Sequence, residues 1–193
     1  MFESLVTTRT HIMKRLLFCL IILSVFSGCV TNKTPNEAEI TSKIDNLYKY
    51  NTSSDSIPST DLFSTDLKKI LDEANNEAKA DAERIKKSEH PTDKPAMVES
   101  FIFTGVPDAT NQKIKKISVT GNNAEAIVEL EISEYKAGDK TYPAVIWENT
   151  IQLVNDKGWK VDNIIFTERS TLKQQLKDFT SETQKGLREM AQK

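Results

Sequence analysis

Apolar residues recur at helical spacing in the first half of the chain and again at its C-terminal end. The first of these stripes predicts a helix at about residues 37–50. The second predicts a helix that begins near Ser64, a suitable N-cap, and ends near Ser88. The third predicts a helix at about residues 171–191. The stripe residues are Ile40, Ile44, Leu47, Tyr48, Leu67, Ile70, Leu71, Ala74, Ala78, Ala82, Ile85, Leu172, Leu176, Phe179, Leu187 and Met190.

Between the second and third stripes the apolar period changes from helical to alternating. Pro91 and Pro95 end the helical pattern, because proline excludes both a helix interior and a central strand. Strands are predicted at residues 97–103, 115–120, 124–132, 144–154 and 158–166. The last two flank a Gly-containing turn and so form a hairpin. Two helices, four or five antiparallel strands and a final helix predict an α+β domain with its helices on one face of the sheet.

A separate apolar run of eleven residues, 16–26, lies near the N-terminus. It is too short to span a bilayer, which needs roughly 20 apolar residues. Two basic residues precede it and the small pair Ser27-Gly28 follows it, an order typical of a secretory signal peptide. We therefore interpret residues 1–28 as a signal peptide, with Met13 as the working initiator.

Cys29 follows the small pair directly. The run Val25-Phe26-Ser27-Gly28-Cys29 resembles the bacterial lipobox, in which the cysteine is diacylated and becomes the mature N-terminus. The resemblance implies lipidation at Cys29, a tether over residues 29–36 and one domain over 37–193. Val30 stands where an inner-membrane retention signal has Asp, which implies the outer membrane of a diderm host. The alternatives are an uncleaved hydrophobic anchor and a plain signal peptide with a chance cysteine.

Composition removes several classes of function. The 26 Lys and Arg residues nearly balance the 28 Asp and Glu residues, so no broad positive field for nucleic acid is expected. Cys19 and Cys29 are the two cysteines, and after processing neither would provide a thiol or a metal ligand. His90 is then the single histidine and is interpreted as a surface residue, so we expect no metal site and no cofactor.

Carboxylates are the remaining candidates for chemistry, and Asp162 in the last strand is the foremost of them. If Trp159, Val161 and Ile165 face inward, alternation turns Asp162 outward with Lys160. A cross-strand salt bridge or a polar contact of the hairpin is then favoured over catalysis.

The aromatic residues carry two further expectations. Trp159 is predicted to pack against Trp147 across the terminal hairpin. The four tyrosines either line a pocket or lie at the rim of the core, the commoner position for this amphipathic side chain. They are Tyr48, Tyr50, Tyr135 and Tyr142.

Several local motifs together resemble those of small NTF2-like lipoproteins of the YbjP-like family. The likeness is carried by the lipobox, Tyr48 and Tyr50 in the first helix, Leu62-Phe63-Ser64 before the segment DLKKIL, and Gly158-Trp159-Lys160-Val161-Asp162 in the last hairpin. It covers about residues 37–167 and implies helices packed into a curved antiparallel sheet in an envelope lipoprotein. The family carries no established reaction.

These observations together predict an outer-membrane lipoprotein with a periplasmic domain that acts as a non-catalytic binding or accessory subunit of an envelope protein complex. The charged end of the second helix and the C-terminal helix fall outside the family pattern, and they provide the candidate partner-binding residues. These are Glu83, Arg84, Lys87, Phe179, Leu187 and Met190. For the C-terminal stripe as a whole, the favoured interpretation is that it covers the domain's own core, more so at Leu172 and Leu176 than at Leu187 and Met190, and a helix that docks on a partner is the alternative. The alternative functions are a periplasmic immunity protein against a secreted toxin and an NTF2-like enzyme with a pocket carboxylate.

Overall fold

The computed structural model describes residues 34–49, 58–98, 100–105, 109–166 and 170–191. The predicted signal peptide, Cys29 and Tyr50 lie outside these ranges. The helices are α1 (Pro35–Tyr48), α2 (Thr65–Lys86) and α3 (Leu172–Ala191), with short 3-10 helices at Thr60–Leu62 and Ser100–Phe103. The strands are β1 (Asn111–Thr120), β2 (Asn123–Ile132), β3 (Tyr135–Ala137), β4 (Lys140–Tyr142), β5 (Val145–Asn155) and β6 (Trp159–Ile165).

The strands form a four-stranded antiparallel sheet in the order β1-β2-β5-β6, with β3 and β4 as a separate two-stranded ladder between β2 and β5. The predicted α+β class is confirmed. The predicted strand at 97–103 is wrong, because this segment contains the 3-10 helix that ends at Phe103. The Phe103 ring stacks on Phe63 at 5.5 Å between centroids. The apolar residues of this segment indicate that it packs on the core. They do not indicate a strand, because so short a run has no periodicity that distinguishes a strand from a helical turn.

Helix α1 begins at Pro35, two residues earlier than predicted, because Thr34 and Glu37 form a capping box. The Glu37 N–H donates to the Thr34 hydroxyl at 3.3 Å, and the Thr34 N–H donates to the Glu37 carboxylate at 2.9 Å. Pro35 fits the first helical position, where no N–H donor is needed. The helix contacts both edge strands of the sheet, β1 and β6, and its apolar stripe is buried. It therefore crosses the inner face of the sheet.

The core lies between this inner face and the helices. Buried residues alternate along β2, which confirms the predicted alternation. On β6, Trp159 and Val161 are fully buried as predicted, but Ile165 is only half-buried and Ile164 takes the inward position. The cause is a bulge: Gln152 and Leu153 of β5 pair with residues 163 and 161, which leaves Asp162 as an extra residue on β6. One inserted residue reverses the alternation beyond it.

The predicted contact between the two tryptophans is also wrong. Trp159 pairs with Asn155 at one end of β5, whereas Trp147 lies near the other end and pairs with Leu130. Eight residues of strand separate Trp147 from Asn155, about 26 Å at 3.3 Å per residue. Both side chains face the core, but from opposite ends of the sheet.

Helices α2 and α3 lie side by side and run parallel. The Lys173 ammonium contacts Asp66 at 2.7 Å, and the Gln184 amide donates to Glu77 at 2.7 Å. Both contacts join residues at the same sequence separation, so the helices keep one register over three turns. Their N-termini consequently meet at the same end, beside β6.

Two glycines give a first testable prediction. Gly105 has φ +82°, and an added Cβ would lie 2.7 Å from Cδ1 of Phe166, whereas Gly186 lies inside α3 with open space around it. We expect Gly105→Ala to lower the free energy of unfolding by about 1–3 kcal/mol. Gly186→Ala should raise it by about 0.5–1 kcal/mol, since alanine is the better helix former. Urea denaturation of both variants measures these changes, and a neutral Gly105→Ala would contradict the packing against Phe166.

Candidate functional site

Asp162, the foremost candidate for chemistry, lies where β6 meets the starts of α2 and α3. Its Oδ1 accepts a hydrogen bond from the Ser64 hydroxyl at 2.6 Å, and its Oδ2 pairs with the Lys173 ammonium at 2.8 Å. The Ser64 hydroxyl is also the N-cap of α2 and accepts the Leu67 N–H at 3.0 Å. Asp162 therefore forms polar contacts, but not the predicted ones: its partners Ser64 and Lys173 belong to the starts of helices and not to the neighbouring strand or the hairpin.

The bulge at Asp162 is followed by Asn163, which lies against the start of α3. Asn163 Oδ1 accepts the Lys173 N–H at 3.2 Å, and the Thr171 hydroxyl accepts the Gln174 N–H at 3.2 Å. Two helix N-termini thus meet at one place, where their partial positive charges favour carboxylates. We name Ser64, Asp66, Asp162, Asn163 and Lys173 the junction. The contacts of the junction fix the starts of α2 and α3 to β6.

The charges of the junction are mutually stabilised. Burial disfavours the charged form of Lys173, but hydrogen bonds and charge attraction from Asp162 and Asp66 outweigh it and raise the pKa of the ammonium. The hydrogen bond and charge of Lys173 hold the pKa of Asp66 below its usual range. The Lys173 side chain is 19% exposed and that of Asp162 is 27% exposed, so the pair lies at the rim of the core.

A cleft of about 230 Å³ opens between the end of α1 and the start of β1. It is lined by Tyr48, Lys49, Ala109, Thr110, Asn111, Gln112 and Leu130, a set without carboxylate or imidazole. Burial raises the pKa of Tyr48 far above its usual range, and the adjacent Asn149 amide opposes this shift. The amide of Asn149 donates to the Thr104 carbonyl at 2.9 Å. Apart from Lys49, the polar groups that line this end of the core are therefore neutral and offer hydrogen bonds.

A second cleft, of about 280 Å³, borders Asn111 and Gln112 and extends past Lys113, Glu129 and Glu131. Its carboxylates lie on the outer face of the sheet. A hydrogen bond from Lys115 at 2.8 Å holds the pKa of Glu129 below its usual range, so this carboxylate is an ion-pair partner. Glu131 accepts the Ser133 hydroxyl at 3.0 Å.

The predicted partner-binding residues of α2 have partners within their own helix or beyond its end. Glu83 pairs with Lys86 at 2.6 Å, and Arg84 pairs with Asp81 at 2.7 Å. Asp81 is buried and its other oxygen accepts the Ala96 N–H at 2.8 Å. Burial opposes its ionisation, but these hydrogen bonds prevail and lower its pKa. Arg84 thus supports a contact that holds the segment after α2 against the helix, while Lys87 caps the helix and is exposed.

On α3 the predicted stripe divides into a buried and a half-buried part. Leu172 and Leu176 are fully buried, and Phe179 is partly buried against the same core. Leu187 is half-buried, and the side chain of Met190 lies outside the described residues. The buried part covers the domain's own core, as the favoured interpretation of the stripe predicted.

Sequence reasoning missed one further feature, which we name the arm. It consists of residues 131–148, that is, the last residues of β2, the ladder of β3 and β4, and the first residues of β5. It carries four of the exposed large apolar side chains, namely Tyr135 (51% exposed), Tyr142 (39%), Val145 (52%) and Ile146 (60%). The two tyrosine rings stack on each other at 4.9 Å between centroids, with 8° between their planes. The sequence signal for the arm is the alternating segment before Gly138, but alternation does not show that both faces of this segment are exposed.

The arm lies at the opposite end of the domain from the start of α1. Near that start, Glu39 accepts the Trp159 N–H at 2.9 Å, beside the turn between β5 and β6. Near the end of α1, Asp45 accepts from Gln112 at 3.0 Å, beside the strand ends that lead into the arm. The length of β5, about 33 Å at 3.3 Å per residue, separates the two ends.

No family model, curated protein or solved structure matches the chain. Across the described ranges, no group of three His, Cys, Asp or Glu residues could hold a metal ion. No described helix combines the length and apolar character needed to cross a membrane. A functional inference for this chain therefore draws on its own residues.

Proposed function

We propose that the protein is an outer-membrane lipoprotein, anchored through Cys29, whose NTF2-like periplasmic domain is a non-catalytic binding subunit of an envelope complex. The signal-like N-terminus and the lipobox resemblance support the anchor. The observation that carries a binding role is the position of the arm, whose exposed apolar side chains gather at the end remote from the start of α1. Clustered apolar residues on a surface mark interaction sites.

The length of the tether supports this arrangement. Five residues, 30–34, separate Cys29 from the first residue of α1. Fully extended, they reach about 18 Å. This short tether keeps the start of α1 near the membrane. The arm then lies farther from the membrane than the start of α1 by the length of β5, about 33 Å. The arm then faces the periplasm, where protein partners reach it.

The contacts of Asp162 favour binding over catalysis. Both of its oxygens serve the junction, and the cleft at the end of α1 is lined by neutral groups and one lysine. The NTF2-like assignment is supported by the resemblance and by α1, which crosses the inner face of an antiparallel sheet. The exposed ends of α2 and α3, with Glu83 and Lys87, are proposed as a second contact surface.

Anchoring gives the second prediction. Cys29→Ser should release the protein from the outer-membrane fraction, because each buried acyl CH₂ contributes about 0.8 kcal/mol and stable anchoring takes two chains. Fractionation with immunoblotting measures the change. Cys19→Ser, which leaves the lipobox intact, is the matched control and should stay in the membrane fraction. Membrane-bound Cys29→Ser protein of mature size would contradict the anchor.

The binding role is tested by photo-crosslinking in intact cells. A benzoylphenylalanine probe at Tyr142 or Lys87 should yield adducts with envelope proteins, while a probe at Ser118 on β1 serves as control. Asp162→Asn should leave these adducts unchanged. Adducts with a secreted toxin alone would favour an immunity protein, and a biological activity lost specifically in Asp162→Asn would favour an enzyme.

A further inference from the structure

Three buried side-chain oxygens at the arm end of the core have no hydrogen-bond partner among the residues that the structure describes. They are Tyr48 Oη, Gln112 Oε1 and Asn149 Oδ1. Tyr48 ends α1, while Gln112 and Asn149 lie on β1 and β5 and flank β2 on the inner face of the sheet. A buried oxygen without a hydrogen bond has lost its hydration without compensation. Three of them at one place therefore indicate a site for a molecule that supplies the missing hydrogen bonds.

The orientation of the two amides is fixed by their nitrogen atoms. The Gln112 amide nitrogen donates to the Asp45 carboxylate at 3.0 Å. The Asn149 amide nitrogen donates to the Thr104 carbonyl at 2.9 Å. Rotating either amide by half a turn would place oxygen against oxygen, so the unpartnered atoms of Gln112 and Asn149 are acceptors. The site therefore selects a ligand that donates hydrogen bonds.

Tyr48 lies between the cleft at the end of α1, which it lines, and Asn149, which does not line it. Its hydroxyl is adjacent to the Asn149 amide but lacks hydrogen-bond geometry with it. Because burial raises the pKa of Tyr48, the phenol keeps its proton and can both donate and accept. A ligand hydroxyl that donates to Tyr48 Oη lets the phenol, after a small rotation, donate to Asn149 Oδ1. Such a chain of hydrogen bonds satisfies both oxygens.

The cleft, of about 230 Å³, gives access to this cluster because Tyr48 and Gln112 both line it. The Gln112 side chain is half-buried and its partner Asp45 is exposed, so a rotation of Gln112 opens the wall of the cleft to the two oxygens. Ala109 and Leu130 add apolar surface to the lining. The volume is below the roughly 300–1,000 Å³ of sites for drug-sized molecules, which limits the ligand to about the size of one sugar ring.

We infer that this cleft binds a single sugar ring, through hydroxyl groups that donate to Gln112 Oε1 and Tyr48 Oη. A pyranose carries several hydroxyl donors close together on one rigid ring. Its C–H face can pack on the Tyr48 ring and Leu130, so the lining combines apolar surface with a few placed polar groups, as small-molecule sites do. The inference goes beyond the proposed envelope complex and does not depend on it.

Other classes of ligand fit the cleft less well. A cation meets no carboxylate among the lining residues described, and Lys49 adds a positive charge to the lining. An anion such as phosphate presents acceptors to amide oxygens that also accept. An apolar molecule leaves the oxygens unpaired, which is the arrangement that burial penalises. Water supplies the same hydrogen bonds as a sugar, so water alone is the outcome against which sugar binding is measured.

Calorimetric titration of the full-length protein tests the inference with the methyl pyranosides of glucose, galactose, mannose and N-acetylglucosamine. Lauryldimethylamine oxide is the suitable detergent, since it has no sugar headgroup. At least one pyranoside should bind, and its permethylated form, which keeps the ring but has no donors, should bind about tenfold more weakly. If none of the four binds, water alone occupies the cleft and the inference is overturned. Equal binding of the permethylated sugar would also overturn it.

Two variants separate these hydrogen bonds from the fold. Tyr48→Phe removes a hydroxyl that has no partner in the described structure, so the melting temperature should hardly change while the dissociation constant rises about tenfold. Gln112→Met, which removes the acceptor at similar volume, should weaken binding to a similar degree. Tyr142→Phe, at an exposed tyrosine of the arm, is the matched control and should bind as the unaltered protein does.

Unchanged affinity in Tyr48→Phe or in Gln112→Met would overturn the inference. A loss of affinity in Tyr142→Phe equal to that in Tyr48→Phe would also overturn it, because the arm tyrosine does not line the cleft. The titrations contain no membrane and no envelope partner. Sugar binding can therefore fail while the anchor and the crosslinks persist, and the reverse result is equally visible.

Discussion

Trp159→Ala is expected to lower the free energy of unfolding by about 3–5 kcal/mol, the usual range for a large aromatic side chain truncated in a core. Trp159 is fully buried and begins β6, beside the start of α1. Its N–H donates to Glu39, so the backbone of the same residue also joins α1 to the sheet. A loss of this size is a large part of the total stability of a typical domain, about 5–15 kcal/mol.

Trp147→Ala is the matched control for this prediction. Trp147 is half-buried at the other end of β5, where its indole N–H donates to the Thr104 carbonyl at 3.1 Å. Its truncation should cost less, about 1–3 kcal/mol, because less apolar area returns to water. Chemical denaturation of both variants measures the difference. A Trp159→Ala loss below about 1 kcal/mol would mean that β6 does not present Trp159 to the core.

Much of the fold can be predicted from short sequence patterns, because the interactions that these patterns reflect lie within one segment of the chain. The capping hydroxyl of Ser64 and the stripe that includes Leu67 and Ile70 fix α2 without reference to the rest of the chain. The alternation in β2 is equally local, since a half-buried strand must place every second side chain in the core. These elements were predicted correctly for physical reasons that one segment contains.

The junction could not be predicted, because it depends on where three elements meet. The bulge at Asp162 adds one residue to β6, and periodicity in a seven-residue strand cannot reveal an insertion. Ile165 was therefore assigned to the wrong face. The partners of Asp162 come from Ser64 and Lys173, which are distant along the chain from each other and meet only because α2 and α3 run parallel.

The arm was missed for a related reason. Residues 144–147 form an apolar run, and hydrophobicity alone predicts that this run is buried. The sheet partners of β5 decide otherwise: β6 pairs with it only from Thr150 onward, and the segment that includes Val145 and Ile146 extends past β6. Exposure of an apolar residue thus depends on the length of the neighbouring strand.

Truncation of a buried leucine of α3 tests whether this helix belongs to the core. Leu176→Ala is expected to lower the free energy of unfolding by about 2–5 kcal/mol, because Leu176 is fully buried in the core. Leu187→Ala, the matched control on the same helix, should cost about 1 kcal/mol or less because Leu187 is half-buried. Deleting residues 182–193 removes the bond between Gln184 and Glu77 and should cost about 1–2 kcal/mol.

These three values separate a core helix from a docking tail. The buried half of α3 should control stability, and the half beyond residue 181 should control capture of an envelope partner by a probe at Lys87. A deletion that costs no more than about 1–2 kcal/mol and abolishes that capture assigns the end of α3 to the partner surface. A deletion as destabilising as Leu176→Ala would place the whole helix in the core, and the second contact surface proposed for Glu83, Lys87 and Leu187 would then lose its support from α3.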